Sequence, residues 1–170
     1  VAIKLINPEL ITNEDTLKRF QREIRTMSSF QNKHTVEIYD AGELPDGSCF
    51  MAMEYLQGKT LTKILEESGP LPLKRTMDLA LQFLDAVAAA HESKIVHRDL
   101  KPDNIMVVER EGNEFVKIMD FGVAKILEEK TDTVADGSPI FVSMVGTVTG
   151  TPQYMSPEQA SGDPIDHRSD

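Results

Sequence analysis

His97-Arg98-Asp99-Leu100-Lys101-Pro102-Asp103-Asn104 interrupts an otherwise regular pattern of apolar residues. It lies between a long amphipathic helix pattern and a short apolar run. Pro102 keeps a helix from continuing through it. Packing alone needs no such density of ionisable and hydrogen-bonding side chains. Loops that carry chemistry on a rigid scaffold have this character.

The bulk composition narrows the choices around that loop. With 170 residues, 40% of them hydrophobic and 27% charged, the chain has the make-up of a soluble globular protein. No apolar run reaches membrane-spanning length, and no signal-peptide pattern is visible, although Val1 is not an initiator methionine. The net charge of −10 disfavours nucleic-acid binding, which relies on Lys and Arg neutralising phosphates. Cys49 is the one cysteine, so no internal disulfide can form, which fits a reducing compartment.

On the N-terminal side, Val1 to Ile6 predicts a strand interrupted by Lys4 and ended by Asn7-Pro8. A helix follows, capped by Thr12 or Asn13, with Glu14 and Asp15 in its first turn. Leu17, Phe20, Ile24 and Met27 recur at helical spacing. Relative to Phe20, Glu23 lies at about −60°, on the edge of that apolar face, and such a carboxylate needs a partner. Strands are predicted over Val36 to Ala41 and Cys49 to Glu54, joined by a Leu44-Pro45-Asp46-Gly47-Ser48 turn. Gln57-Gly58-Lys59 has the composition of a linker. A short helix is predicted from Leu61 to Glu67. A longer one spans Leu73 to Ser93, with Met77, Leu81, Leu84, Val87 and Ala88 as its apolar stripe. Beyond the polar loop, strands are predicted over Ile105 to Val108 and Phe115 to Met119. From Asp120 to about Pro157 no regular pattern appears, and so long a segment inside a domain is usually functional or disordered.

Four motifs stand in order: Val1-Ala2-Ile3-Lys4; His97-Arg98-Asp99 with Asn104 five residues after the Asp; Asp120-Phe121-Gly122; and Ser156-Pro157-Glu158. Singly each is weak. Together, each in its expected strand or loop context, they make the chain resemble a protein kinase, and within that family a bacterial Ser/Thr kinase. The resemblance covers essentially the whole chain. It implies an α+β, two-lobed fold, with residues 1–56 in part of an N-terminal lobe and 57–170 in part of a C-terminal lobe. It also implies ATP and Mg²⁺ as cofactors, and Ser/Thr-containing proteins, this chain's own loop included, as substrates. A cytoplasmic location follows, with any membrane anchor outside this segment.

Transfer of a γ-phosphoryl group demands positioning and charge compensation more than covalent chemistry. The resemblance assigns Lys4 to the α- and β-phosphates, with Glu23 as its ion-pair partner. Asp99 becomes the residue that accepts the substrate hydroxyl's proton, and Lys101 the cation that steadies the γ-phosphate. Asn104 and Asp120 become the Mg²⁺ ligands. Met53 to Leu56 resembles the hinge between lobes, with Met53 beside the adenine pocket and backbone groups of Glu54 and Leu56 facing the adenine edge. Ala2 and Met106 would sandwich the ring. His97 and Phe121 are expected to pack with Met27 and Ile38 rather than to move protons. Arg98 is expected to receive a loop phosphate on Ser143, Thr147 or Thr149, with Thr131 and Thr133 further away. Thr151 is expected to hydrogen-bond near Asp99 and Lys101, Glu158 to pair with an arginine beyond this segment, and Asp170 to brace the catalytic loop.

By the same resemblance, a Gly-rich loop would precede Val1 and a central helix would follow Asp170. The segment is then an internal fragment, expected to fold poorly and show little activity alone. Two rivals remain: a pseudokinase or scaffold module on the same fold, and a small-molecule phosphotransferase. The intact Lys4, Asp99, Asn104 and Asp120 argue against the first. Lys101 and the Thr151 to Glu158 stretch, which in protein kinases docks the peptide, argue against the second.

Overall fold

The computed structural model describes residues 1–6, 14–121 and 152–170. The hydroxyls at Thr131, Thr133, Ser143, Thr147, Thr149 and Thr151, the caps at Thr12 and Asn13, and Gly122 lie outside the described residues. The fold is α+β, as the resemblance implies, with two small antiparallel sheets.

The first sheet has the order β1-β3-β2, formed by Ala2–Ile6, Cys49–Met53 and Ile38–Glu43. Helix α1 (Glu14–Ser29) covers one face of it. Phe20, Ile24 and Met27 of that helix are buried with Ile6, Cys49 and Met51 of the sheet. This is the apolar stripe that the spacing predicts. The turn after β2 closes through Leu44 N–H to the Ser48 carbonyl (2.7 Å) and Gly47 N–H to the Leu44 carbonyl (2.9 Å), with Gly47 at φ +83° where glycine fits best.

The second sheet has the order β4-β5-β6, formed by Gly58–Thr60, Ile105–Arg110 and Asn113–Ile118. Here the linker expectation is corrected: Gly58 to Thr60 pairs antiparallel with Val108 to Met106. Three residues without apolar alternation carry almost no strand signal. Glycine suits the first of them, since a Cβ on Gly58 would stand 2.3 Å from the Val107 carbonyl oxygen. Helix α2 (Leu61–Ser68) follows at once, capped by the Thr60 hydroxyl accepting from Lys63 N–H.

Helix α3 (Leu73–Glu92) lies against β6. Its predicted stripe needs correction. Leu79, Ala86, Val87 and Ala90 are buried with Val116 and Ile118, whereas Met77, Leu81 and Leu84 are exposed. The helix carries apolar residues on two faces, and periodicity alone does not say which face meets the core. A polar residue completes the fit. Gln82 accepts from Val116 N–H (3.0 Å) and donates to the Glu114 carbonyl (3.2 Å), so the open edge of β6 is satisfied by a side chain. Further along the same edge, Val36 N–H donates to the Ile118 carbonyl and Ile118 N–H to the His34 carbonyl. That pairing is why β2 begins at Ile38 and not at Val36.

The C-terminal residues form a short helix α4 (Pro157–Ser161), entered through Ser156, and a 3-10 turn at His167–Ser169 that ends on Asp170.

Candidate active site

The polar loop is built by chain that leaves α3 and enters β5. Its first residue, His97, is fully buried, and its ring lies 4.6 Å from that of Phe121. Burial lowers the His97 pKa, so the ring is neutral. Its two hydrogen bonds fix the tautomer: Nε2 donates to the Met119 carbonyl (2.8 Å) and Nδ1 accepts from Asp99 N–H (3.2 Å). His97 therefore packs and orients, as its resemblance role requires. Met27 and Ile38 line the same cleft as Phe121.

Asp170 holds the loop from behind. Its Oδ2 accepts from His97 N–H (2.8 Å) and meets His91 Nε2 (2.8 Å), while its Oδ1 accepts from Arg98 N–H (2.8 Å). The side chain is only 1% exposed. Arg98 has φ +71°, a left-handed conformation that costs a non-glycine residue roughly 1–2 kcal/mol. The bonds to Asp170 help hold it there.

Asp99 comes next and shares a compact network. Its Oδ2 meets Lys101 Nζ at 2.8 Å and accepts from Asn104 Nδ2 at 3.0 Å. The same amide donates to the Asp99 carbonyl (2.7 Å), so both bonds set the Asn104 amide with Nδ2 towards Asp99. That turns Oδ1 away from the Asp99 acceptors. Pro102–Asn104 forms a 3-10 turn, and the Asn104 carbonyl accepts from Met119 N–H (2.9 Å), which ties the loop to the residue before Asp120.

Asp120, also at positive φ (+60°), faces the first sheet. Its Oδ1 meets Lys4 Nζ at 2.7 Å. The expected Lys4–Glu23 pair is not what the geometry shows: Lys4 bonds Asp120, and Glu23, 14% exposed at its side chain, meets Arg22 at 3.4 Å. Lys4 and Asp120 thus stand in one cluster, and Asp99, Lys101 and Asn104 in another, while Glu23 lies on α1 beside Arg22.

At the hinge, Ala2 stands opposite Met53 in the strand register, and Met106 lies on β5 of the other sheet. The Glu54 N–H is taken by the Glu37 carbonyl (2.9 Å), so this donor is already engaged within the chain. The Glu54 side chain does something the sequence reading missed. It accepts from Lys117 Nζ (2.7 Å) and Arg110 (3.0 Å), and Lys117 also donates to the Thr35 carbonyl (2.9 Å). Lys117 is buried between Val116 and Ile118. A lysine inside a run of apolar β residues was the available signal, because a buried ammonium requires partners. Glu158 accepts from the Ser169 hydroxyl, a contact within this segment.

The donor set suits magnesium. One carboxylate and one amide supply hard oxygens, and Mg²⁺ takes few protein ligands beside water and phosphate oxygens. Among the described residues no group of three His, Cys, Asp or Glu side chains could hold a metal by itself. Those hard oxygens belong to Asn104 and Asp120, and a donor set of this kind is one that Mg²⁺ takes.

The family described as "Protein kinase domain" matches residues 1–170. Serine/threonine-protein kinase pkn3 of Myxococcus xanthus is 43% identical over 171 residues, covering 100% of this chain and 30% of that protein. Serine/threonine-protein kinase PknB of Mycobacterium leprae is 34% identical over 173 residues, covering 100% of this chain and 26% of that protein. The crystal structure of the Mycobacterium tuberculosis PknI kinase domain superposes with a TM-score of 0.71 at 24% identity, covering 98% of this chain and 57% of that one, and it speaks to the fold. The chain thus spans about a third or less of the two curated relatives named here.

Proposed function

Because this chain belongs to the protein kinase family, we propose that the protein containing it transfers the γ-phosphoryl group of ATP to Ser and Thr hydroxyls of proteins, with Mg²⁺, its own loop among the targets. The observation that carries this is the Asp99–Lys101–Asn104 network on one loop, opposite the Lys4–Asp120 pair. Asp99 accepts the proton of the attacking hydroxyl. Lys101 and Lys4 hold negative charge at the transferred and the inner phosphates. Asn104 and Asp120 hold magnesium, which when bound neutralises phosphate charge and orients the leaving group. Ala2, Met53, Met106 and backbone groups of Glu54 and Leu56 receive the base. Glu23 serves Lys4 in a closed arrangement of α1. The lobes divide after residue 56, since Gly58 onward pairs with β5.

Protein substrates approach from one side, and self-association brings loop and active site of two copies together. The reaction uses cytoplasmic ATP. Among the described residues no helix is long and apolar enough to cross a membrane. In the intact protein, Asp99→Asn lowers phosphate transfer by about 100-fold or more. Equal transfer by both proteins would sink this proposal and favour the scaffold reading.

A further inference from the structure

We propose that Gln159 is a positioning residue for the catalytic loop, holding the Arg98 carbonyl so that Asp99 keeps its aim; this rests on the phosphotransfer reading above. Gln159 lies on α4, 61 positions from Arg98, and its Nε2 donates to the Arg98 carbonyl at 2.5 Å. Its Oε1 accepts from Ser156 N–H at 3.0 Å. The two partners demand opposite ends of the amide, so they fix its orientation. Ser156 Oγ accepts in return from Gln159 N–H, which completes a capping box at the start of α4.

Arg98 is the residue that a strained loop most needs held. Its φ is +71°, its N–H is bound by Asp170, and its carbonyl is bound by Gln159. Asp99 is the next residue. A rotation of the Arg98–Asp99 peptide would swing the Asp99 side chain, and reacting groups misplaced by about 1 Å can cost about 100-fold in rate. One planar amide thus joins the segment after Pro157 to the peptide that carries the proton acceptor.

A capping residue alone would behave differently, and glutamate separates the two roles. Glu at this position keeps an acceptor for Ser156 N–H, so the cap survives. It replaces the donor with a carboxylate oxygen facing a carbonyl. In the intact protein, Gln159→Glu is expected to keep the wild-type KM for ATP and a Tm above that of Gln159→Ala, but lose on the order of tenfold in kcat. Gln159→Ala is expected to show a similar kcat loss with a lower Tm. As pH falls and the introduced carboxyl gains a proton, it regains a donor, so the Glu-variant-to-wild-type kcat ratio rises. A Gln159→Glu protein with wild-type kcat, or a ratio that stays flat with pH, would reduce Gln159 to a helix cap and overturn the inference. Transfer that Asp99→Asn leaves intact would instead remove the phosphotransfer reading, and this inference with it.

Discussion

The catalytic loop and the Lys4 side of the cleft are held by opposite means. Around His97, Arg98 and Asp99, backbone groups end on the buried Asp170 carboxylate and on the Gln159 amide, and the His97 ring ends on the Met119 carbonyl. Across the cleft, Lys4 depends on one ion pair whose members are 37% and 28% exposed, and Glu23 sits on a helix whose other face is solvent. The loop is fixed by structure that lies far away in the chain. The lysine is held by the Asp120 carboxylate, 2.7 Å away. Under the proposed function, the residue assigned to take the proton is the one whose backbone is held on both sides, as preorganisation requires.

Removing the loop's anchor is the strongest way to break that contrast. Asp170→Ala would leave two backbone N–H groups and His91 without their acceptor. We expect a loss of about 3–5 kcal/mol in urea unfolding, because a buried charged partner is removed. An effect under 1 kcal/mol would mean that the loop is held otherwise.

The seam between the two regions comes next. Lys117→Met removes the ammonium shared by Glu54 and Thr35, and Arg110 still serves Glu54. The expected cost is about 1–3 kcal/mol, with faster amide exchange at Glu54 and Thr35. Unchanged exchange would show that Lys117 does not join the sheets.

Acid probes the same difference without mutation. The His97 pKa is lowered from 6.5 by burial, so the unfolded chain binds the proton first. The contribution of His97 is fully present above pH 6.5 and declines as pH falls below it, by up to ~1.4 kcal/mol per pH unit. His34, also lowered chiefly by burial, acts with the same sign. Stability that rises on acidification from pH 7 to 6 would contradict the neutral assignment.

The smallest stability effect belongs to the other side of the cleft. Lys4→Met is expected to change unfolding free energy by under ~1 kcal/mol, as a half-exposed pair should. Its phosphate transfer should nevertheless fall steeply. A large stability loss would place Lys4 among the structural residues.

How far the sequence spoke follows the same division. Lys4, Asp99, Asn104 and Asp120 stand out in the sequence because each occupies a fixed place in a short motif, and the structure pairs Lys4 with Asp120 and Asp99 with Asn104. Helix α1 was legible because only one of its faces is apolar. The stripe of α3 was misread because that helix has two. Gly58 has the sequence look of a linker because its strand has no side-chain alternation; what suits glycine there is the nearby Val107 carbonyl, which leaves no room for a Cβ. Lys117 has a local signal, a lysine in an apolar run, but its partner Glu54 is 63 positions away. Gln159 and His91 have none, because their partners are 61 and 79 positions away and no local pattern encodes such a pairing.

Arg98 and Asp120 share one more property. Both are non-glycine residues in left-handed backbone, at φ +71° and +60°. Glycine would relieve each at no steric cost, and relieving a strained residue generally raises thermal tolerance. Selection for heat resistance alone would therefore drift towards glycine at these two positions and erase the side chains beside the chemistry. Heat-adapted variants that still work should keep Arg98 and Asp120 and gain their tolerance elsewhere.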